Sequence, residues 1–538
     1  MSRFQKGMLA LVVALAAVIA VGYAGMRYLE NSVADAIRVW ATQTPENCRV
    51  TLGDVRYSFK DNNLFLGKAG FSFLSSGQKV TTTIESVEIH GIGDSFLSLL
   101  KNPKAEIRET EFSVADSIVA RGIVSRTQTT FASDSVAVET TIGQRNFSDI
   151  RMNTERSRVL FSALGKDTAL ELLYAVAYRE AQTSDIAVNI GSGNENIKVA
   201  VAKLVETNIS YGSAENTHLE GITVHLGDTS LCALDSMTVR DVNLPSPAVM
   251  SKWMNLTEEP SDSEALALLG DLFMSTGKPM IGEFTMSGLK LTIPSGENVT
   301  LGTFRIANPK VDPFTVDVAV EHLVLPLSID PQLQLLRLTG LQNMDLTTTF
   351  SFSGLNASDL FRAAYSLNMA GAGTLDMGFE GSLPAAEWKA AVEKWKAVDA
   401  AQTGADKVDP DAASGDIMET LLREHLMLVN MEIGYADEGL LPRGIKLAQI
   451  SMGLSTEQCL ELIRQQIVMT TMGMGSQIPD AAARLNEFID HPGAVRLTVR
   501  PEKPVRFMDI ESGAAVPPIR LEVTPGPKTI GELVDALK

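Results

Sequence analysis

Hydrophobic and polar residues alternate one by one over many short stretches of the chain after residue 50. Val55, Tyr57 and Phe59 alternate with polar residues, and Asn62 and Asn63 follow as residues that tolerate the left-handed backbone of a hairpin turn. Alternation of period two with one apolar face predicts antiparallel β-sheet. The pattern recurs at residues 69–73, 87–89, 289–293, 316–320, 375–379, 431–435 and 519–523.

Several of these stretches carry a glycine between two apolar alternations, as at Gly221 and Gly288. Glycine inside a strand pattern commonly marks a bulge or a bend in the strand. The sequence therefore predicts a degenerate repeat of strand, kink and strand, and a sheet that curves.

A period near 3.6 residues interrupts the strand pattern at a few places and indicates helices. Capping boxes, in which a Ser or Thr is followed three residues later by Glu or Gln, begin at Ser261, Ser455 and Thr529. The predicted fold class is α+β, mostly β, with elongated antiparallel β-sheet domains, interspersed helices and a helix-richer C-terminal third. Helices are predicted at residues 159–181, 265–274, 384–402, 417–428, 455–472, 479–489 and 530–537.

An uncharged apolar run at residues 7–26 predicts an N-terminal transmembrane helix. At about 1.5 Å per residue it reaches about 30 Å, the thickness of a hydrocarbon core. The alternative is a cleaved secretory signal, but the run is longer than a usual signal and its candidate cleavage site at 22–24 carries Gly where Ala is preferred. The side chains predicted to face lipid in the anchor are Leu9, Val12, Leu15, Val18 and Ile19.

Basic residues at positions 3 and 6 precede the run, so the amino end is expected in the cytoplasm and residue 27 onward outside it. The predicted location is therefore a bacterial inner membrane, crossed once, with the bulk of the chain in the periplasm. The predicted organisation is a cytoplasmic segment 1–6, the anchor 7–26, a stalk helix 27–48, a first β-rich domain 49–250, a second β-rich region 251–383, and an α+β region 384–538 with a linker at 404–415.

Composition excludes some partners. The chain has 46 Lys and Arg against 65 Asp and Glu, a net charge of −19, and such a surface repels nucleic acid and anionic headgroups. Its three cysteines, Cys48, Cys232 and Cys459, show no spacing typical of zinc sites or disulfide frameworks. The low cysteine count suits a bacterial envelope protein.

Motifs for enzymatic chemistry are absent from the sequence: there is no phosphate-binding loop, dinucleotide fingerprint, nucleophile elbow or zincin motif. Residues 191–194, Gly-Ser-Gly-Asn, resemble a phosphate turn but lie between two strand patterns and favour a hairpin turn. His218 and His225 have no third ligand near them, so no metal site is predicted. We therefore expect no catalytic residue, no cofactor and no enzymatic activity.

The first predicted hairpins carry large apolar side chains on one face, and no strongly amphipathic helix between residues 50 and 150 covers them. Another layer must bury that face, either a second sheet or a hydrophobic ligand such as lipid. The predicted ligand-facing residues are Tyr57, Phe59, Phe71, Phe73, Val87 and Ile89.

Residues 50–92, 209–244 and 283–329, together with the single amino-terminal span and the acidic balance, resemble the AsmA-like envelope proteins and their bridge-like lipid-transfer relatives. In that group a long curved sheet holds acyl chains on its apolar face, so the resemblance implies lipid binding or transport in envelope maintenance. This chain is short for a bridge, and its last third is rich in helices. The alternative function is a structural or adaptor protein that docks to another envelope protein.

Overall fold

The structure is a computed structural model that describes residues 48–58, 62–75, 78–96, 107–131, 134–157, 173–192, 195–247, 249–250, 280–293, 296–307, 314–354, 359–387, 390–391, 394, 420–421, 423–472, 478 and 480–537. Contacts divide the chain into two compact units, a first unit of Met1–Glu259 with Asp271–Met286 and a second unit of Pro260–Gly270 with Ser287–Lys538. Most described residues lie in antiparallel strands and fewer in helices, which confirms the mostly β fold class.

Each strand of the first unit pairs with its neighbour in the chain. β1 and β2 both pair with β3, and antiparallel ladders then join β3 through β10 in order. The strands are β1 (Cys48–Thr51), β2 (Val55–Ser58), β3 (Asn63–Ser75), β4 (Gln78–Ile92), β5 (Glu111–Phe131), β6 (Asp134–Asn153), β7 (Val176–Ser192), β8 (Glu195–Ser210), β9 (Ser213–Leu226) and β10 (Thr229–Asn243).

Two predicted hairpins are confirmed. Ser58 pairs with Asn63 across the first turn, where Asn62 has a left-handed φ of 52° and accepts a 2.6 Å hydrogen bond from the Tyr57 hydroxyl. Ser192 pairs with Glu195, so β7 and β8 are neighbouring antiparallel strands, as the hairpin interpretation of this stretch predicts.

Two lines of bends cross the sheet of the first unit. At each bend the ladder omits one pair, or two at Asp149–Arg179, while its register continues: Gly67 pairs with Ser86 and Ala69 with Ile84, but Lys68 does not pair. Along each line φ is positive on alternate strands. The first line runs through Lys68, Glu85, Gly122, Gly143, Asp185, Ala202, Gly221 and Asp235, and the second through Gly91, Asp116, Asp149, Arg179, Asn208, Glu215 and Asp241.

Opposing backbones approach closely at the bends. A Cβ placed on Gly143 would lie 2.9 Å from the Cβ of Asp185, and one on Gly221 would lie 2.9 Å from the Cβ of Ala202. Real Cβ atoms do not come so near, so one residue of each such pair must be glycine. The predicted kink at Gly221 is confirmed by its φ of 63°.

Each bend also moves the alternation of buried side chains by one residue. In β5 the buried Ile118 and Ala120 are followed by Ile123, three positions beyond Ala120, with Gly122 at the bend between them. The same step separates Val201 from Leu204 in β8. One long strand therefore keeps one apolar face although its sequence reads as several short strands.

The core of the first unit lies on the apolar face of β3–β7. Leu66, Ile118, Ile150 and Met152 are among its most completely buried side chains. A smaller cluster continues the same face onto β8 and β9.

The second unit is also a meander. β11 (Glu283–Thr292) contains the division between the units, and β12 through β18 pair in chain order. β18 pairs with β20, and β19 lies beside β18 on the same edge of β17. The strands are β12 (Asn298–Ala307), β13 (Phe314–Pro326), β14 (Asn343–Gly354), β15 (Leu360–Met369), β16 (Gly373–Ser382), β17 (Met427–Asp437), β18 (Ala494–Val499), β19 (Val505–Arg506) and β20 (Ile519–Thr524).

All helices whose first and last residues both lie within the described ranges belong to the second unit. They are α1 (Pro331–Gln334), between the 3-10 turns Leu327–Ile329 and Leu335–Thr339, and then α2 (Leu440–Met452), α3 (Thr456–Met472), α4 (Ala481–Asp490), α5 (Phe507–Glu511) and α6 (Ile530–Ala536). α3, α4 and α6 confirm three predicted helices.

Both capping boxes within the described residues form as predicted. The Gln458 N–H donates to Ser455 Oγ over 3.2 Å, and the Ser455 N–H donates to Gln458 Oε1 over 2.8 Å. Thr529 and Glu532 make the same exchange at α6. These contacts satisfy N–H groups that the helix itself leaves unpaired.

Three sequence interpretations are corrected. The helix predicted at 159–181 does not reach its end, because Val176–Ala181 belongs to β7 and pairs with β6. The helix predicted at 417–428 stops earlier, because Met427 begins β17. Cys48, placed in the stalk helix, is the first residue of β1.

Other predictions fall on residues outside the described ranges: the anchor 7–26, the rest of the stalk, the helix 265–274 and the linker 404–415. Among the described residues, no helix is long and apolar enough to cross a membrane. The predicted domain limits stay predictions.

The bend geometry predicts that Gly143→Ala lowers the melting temperature of the protein by about 2 °C or more, since overpacking of about 1–3 kcal/mol follows from the clash with Asp185. Adding Asp185→Gly should restore most of the loss, because glycine removes the clashing Cβ and suits the φ of 57° at that position. Gly191→Ala is the control, because a Cβ there meets nothing within 4 Å. Equal effects of the two alanine substitutions would contradict the close-approach argument.

Candidate hydrophobic-ligand surfaces

The sheet of the second unit has one apolar and one polar face. Antiparallel partners stand on the same face, so the pairs Phe350–Tyr365 and Tyr365–Met377 form one row across β14–β16. The row continues through Ile433 and Leu497 onto β17 and β18. The alternate positions carry polar and charged residues, so the strands follow a strict division between faces.

The polar face holds cross-strand ion pairs. Arg362 Nη2 lies 3.0 Å from Glu380 Oε1, and Arg496 Nε lies 3.0 Å from Glu432 Oε1. Because these side chains are largely exposed, each pair contributes at most about 1 kcal/mol. They identify this side of the sheet as the side that faces water.

Among the described residues, the helices that pack on the apolar face do so mainly at the β17–β20 end. Tyr435, Val495 and Val523 pack against a cluster that includes Ile445 of α2 and Phe488 of α4. Leu497 and Leu521 pack with Ala481 at the start of α4. This half of the face is an ordinary sheet-and-helix core.

On β13–β16 the same face is not sealed. Phe350 is 38% exposed and Met377 is 43% exposed, and the other members are half-buried. Contiguous apolar surface of this kind, backed by a polar opposite face, is typical of an interaction site. We call this surface the open face; its residues are Val316, Val318, Val320, Phe350, Phe352, Phe361, Tyr365, Leu367, Leu375, Met377 and Phe379.

An aromatic row borders the open face at one end of its strands. The ring of Phe361 lies 5.8 Å from that of Phe352 and 5.6 Å from that of Phe379, between ring centroids. Phe507 of α5 extends the row, 5.9 Å from Phe379. Aromatic contacts at these distances are favourable and stiffen the surface without covering it.

A polar cluster interrupts the apolar face of the first unit. Arg145 on β6 and Glu206 on β8 form an ion pair of 2.9 Å across β7, and their side chains are only 5% and 10% exposed. The guanidinium of Arg145 also lies 4.7 Å from the centre of the Phe147 ring. Burying two charges is costly unless they are paired and hydrogen-bonded. Each charge of this pair therefore depends on the other to be tolerated in the core.

Tyr178 of β7 lies beside the cluster, close to the charges of Glu206 and Arg145. Its ring meets that of Phe147 edge to face at 5.3 Å. Burial, followed by the nearby Glu206 charge, raises the pKa of Tyr178 far above its ordinary value of 10.0. The hydroxyl therefore stays protonated throughout the physiological range.

The six predicted ligand-facing residues have different surroundings. Val87 and Ile89 are 1% and 6% exposed and lie inside the core cluster, and Tyr57 packs against that cluster. Phe59 lies outside the described residues, as do the side chains of Phe71 and Phe73, whose backbones belong to β3. Contact of these residues with a ligand stays a prediction, and the exposed apolar surface lies elsewhere.

The sequence interpretation identified the alternation at 375–379 and 316–320 but did not assign a ligand surface there. Phe350 and Phe352 alternate with serine and threonine in the same way, and this pattern is readable from the sequence. Which part of the apolar face the helices cover is not readable, because that depends on contacts distant in the chain. The Arg145–Glu206 pair likewise joins residues 61 positions apart.

The buried pair predicts that Glu206→Ala lowers the free energy of unfolding by about 3–5 kcal/mol, because it leaves the Arg145 charge buried without a partner. The double variant Arg145→Met with Glu206→Leu should recover most of that loss. As a control, Glu139→Ala removes the partner of Arg126 in an exposed pair and should change stability by less than about 1 kcal/mol. Similar losses from both single substitutions, measured by denaturant unfolding, would contradict the assignment.

The raised pKa of Tyr178 predicts a loss of stability at alkaline pH. The folded state binds the phenolic proton more tightly than the unfolded state, so stability is full below about pH 10 and falls as the pH rises above it. Tyr178→Phe should make the melting temperature less dependent on pH between about 10 and 12. An unchanged pH dependence in this variant would rule out Tyr178 as a source of the effect.

Comparison with known proteins gives one match. A family model described as "Uncharacterized protein" matches residues 342–524. The match begins directly before β14 and ends with the last residue of β20, so it contains most of the open face and the helices that cover the rest of that sheet. No curated protein matches the chain.

Proposed function

We propose that the chain is a membrane-anchored protein of the bacterial envelope that binds lipid, or another hydrophobic molecule of similar shape, in envelope maintenance or lipid transport. The observation that carries this proposal is the open face. Large apolar side chains stand there at half-buried or exposed positions while the adjacent positions on the same strands are polar.

Burial energetics favour an apolar occupant. Removing half the methylenes of a chain of about 16 carbons from water contributes about 6 kcal/mol before the costs of association. A β-surface suits such a chain because its rows run continuously across the strands, and the aromatic row adds flat contact area. The charged groups needed to bind a polyanion lie on the other face, mixed with carboxylates.

The location rests on the sequence. The run at 7–26 and the basic residues before it favour a single span with residues 27 onward in the periplasm. The resemblance to AsmA-like proteins implies the same place and a related role. In this proposal the anchor holds the sheet next to the membrane that supplies its ligand, and the protein acts by binding without catalysis.

Photocrosslinking of the full chain in cells tests the proposal. We expect p-benzoylphenylalanine in place of Met377 to form adducts with lipids labelled by radioactive acetate, because this position lies on the open face. The matched control is the same amino acid at Asp376, which is also exposed but points to the polar face. Lipid adducts should be at least several-fold more abundant at 377.

Other outcomes of this experiment are also decisive. A single protein adduct at 377, without lipid, would support the adaptor alternative, in which the open face docks another envelope protein. Equal lipid labelling at 376 and 377 would mean that the membrane merely lies nearby, and would remove the support that the open face gives to lipid binding.

A further inference from the structure

Residues 327–341, between β13 and β14, form a segment that exposes large apolar side chains. We call it the leucine segment; it contains α1 and both 3-10 turns, and six of its residues are leucine. Ile329 is 46%, Leu335 46% and Leu338 52% exposed. Side chains at i and i+3 of a 3-10 turn stand in line, so Leu335 and Leu338 form one outward apolar edge.

The leucine segment is fixed to the rest of the second unit. Leu327 and Thr339 are almost completely buried. Arg443 of α2 donates through Nη1 to the carbonyl of Thr339 and through Nε to the carbonyl of Gly371. The exposed leucines therefore stand on a fixed backbone, at positions that a polar residue could occupy without loss of packing.

The leucine segment lies at the end of the open face that is opposite to the aromatic row. It joins Pro326 of β13 to Asn343 of β14, which are cross-strand partners, whereas Phe352 lies near the other end of β14. Between these ends the apolar side of the sheet continues through Leu346 and Met369, which are partners and half-buried. A row of apolar side chains thus leads from the open face to the leucine segment.

The leucine segment is neutral although the whole chain carries a net charge of −19. Asp330 and Arg337 are its only charged residues, and their charges cancel. Arg337 Nη2 also lies 3.4 Å from Glu297 Oε1, in the turn between β11 and β12. The acidic surplus that repels anionic headgroups elsewhere is therefore absent from this segment.

The residue types favour a bilayer over a protein partner. Binding energy at protein interfaces is concentrated in Trp, Tyr and Arg, whereas leucine is under-represented among the residues that supply it. The leucine segment contains no aromatic residue, and its exposed apolar side chains are Leu and Ile. Such side chains gain free energy on entering the hydrocarbon of a membrane.

We propose that the leucine segment inserts into the surface of a lipid bilayer, and that lipid enters the open face there. This inference rests on the proposed lipid-binding function and adds the place at which lipid reaches the sheet. Leu335 and Leu338 lie among the acyl chains, and a lipid moves from the bilayer along the apolar side of β13–β16 toward the aromatic row. Its headgroup can stay in water, because the open face is exposed.

Fluorescence quenching of the full chain in vesicles of dioleoyl phosphatidylcholine tests the insertion. A small fluorescent amino acid replaces Leu338, and the vesicles contain a phosphatidylcholine with a spin label on its acyl chain. The matched control carries the same amino acid at Met452, which is also exposed but is the last residue of α2, about 18 Å from the first. We expect quenching at 338 to be several-fold stronger than at 452.

Other results of this measurement would overturn the inference. Equal quenching at both positions would mean that exposed apolar residues contact the membrane without preference. A change in the fluorescence at 338 that depends on protein concentration and not on lipid would assign the leucine segment to a second copy of the chain or to another protein.

A double variant tests the entry of lipid. Leu335→Gln with Leu338→Gln should slow the transfer of labelled vesicle lipid to p-benzoylphenylalanine at Met377 by about tenfold, because less apolar surface enters the bilayer. Transfer of labelled dihexanoyl phosphatidylcholine, added as monomers in water, should not change. Met452→Gln is the control and should affect neither transfer.

The melting temperature of the double variant should equal that of the wild type, since both leucines are exposed. A clear fall would show that these side chains are packed in the protein, which would overturn the inference. Failure of the inference also differs from failure of the proposed function. Lipid adducts at 377 without quenching at 338 would overturn only the insertion, whereas no lipid adduct at 377 from either source would overturn lipid binding by the open face.

Discussion

The close approach of neighbouring backbones at the bends constrains the sheet of the first unit. At several bends the Cβ positions of the opposing residues converge to less than 3 Å, and there one partner is glycine, as at Gly143 opposite Asp185. The other partner is often Asp, which tolerates a left-handed backbone. Every bend shifts the alternation by one residue, so the places of the bends also determine which side chains lie on the apolar face.

In the second unit, the helices that cover the sheet determine which part of its apolar face stays exposed. The apolar face is continuous from β13 to β20, and among the described residues α2, α4 and α6 contribute to the core at its β17–β20 end. The placement of these helices is itself fixed by polar contacts. Asp437 at the end of β17 accepts hydrogen bonds from the N–H of Leu441 and from the Tyr435 hydroxyl, so α2 starts at a defined point above the sheet.

Burial, followed by the hydrogen bond to Asp437, raises the pKa of Tyr435, so this hydroxyl remains a donor to the carboxylate at ordinary pH. The contact couples the strand to the helix layer. Arg443 of α2 makes a second hydrogen bond between the helices and the sheet. Its Nε–H donates to the carbonyl of Gly371 in the turn between β15 and β16. The boundary between the covered and open parts of the face is therefore held by hydrogen bonds as well as by apolar packing.

Sequence patterns predicted the sheets, the hairpin at 191–194 and the helices that begin with capping boxes, because these features depend on residues close together in the chain. They missed α2, whose N-cap is Gly439 without a capping side chain and whose first turns contain Pro442 and Gly444. They also extended a helix into β7, because the pairing of Val176 with Met152 is a distant contact that no local period shows. The sequence pattern did not predict the bends at aspartates, because glycine and not aspartate is the usual sign of a bend inside a strand.

The order of the ladders affects how a chain of this kind can fold and change in length. Nearly every strand from β3 to β10 pairs with the strand made just before it, so a nascent chain can add one hairpin at a time to a finished edge. Duplicating two adjacent strands would lengthen this sheet while keeping the direction of every later strand. Duplicating one strand would reverse them all. In such an architecture a change of length by two strands preserves the direction of every later strand, and the same two bends on β4 through β10 make added pairs of strands compatible with the existing edge.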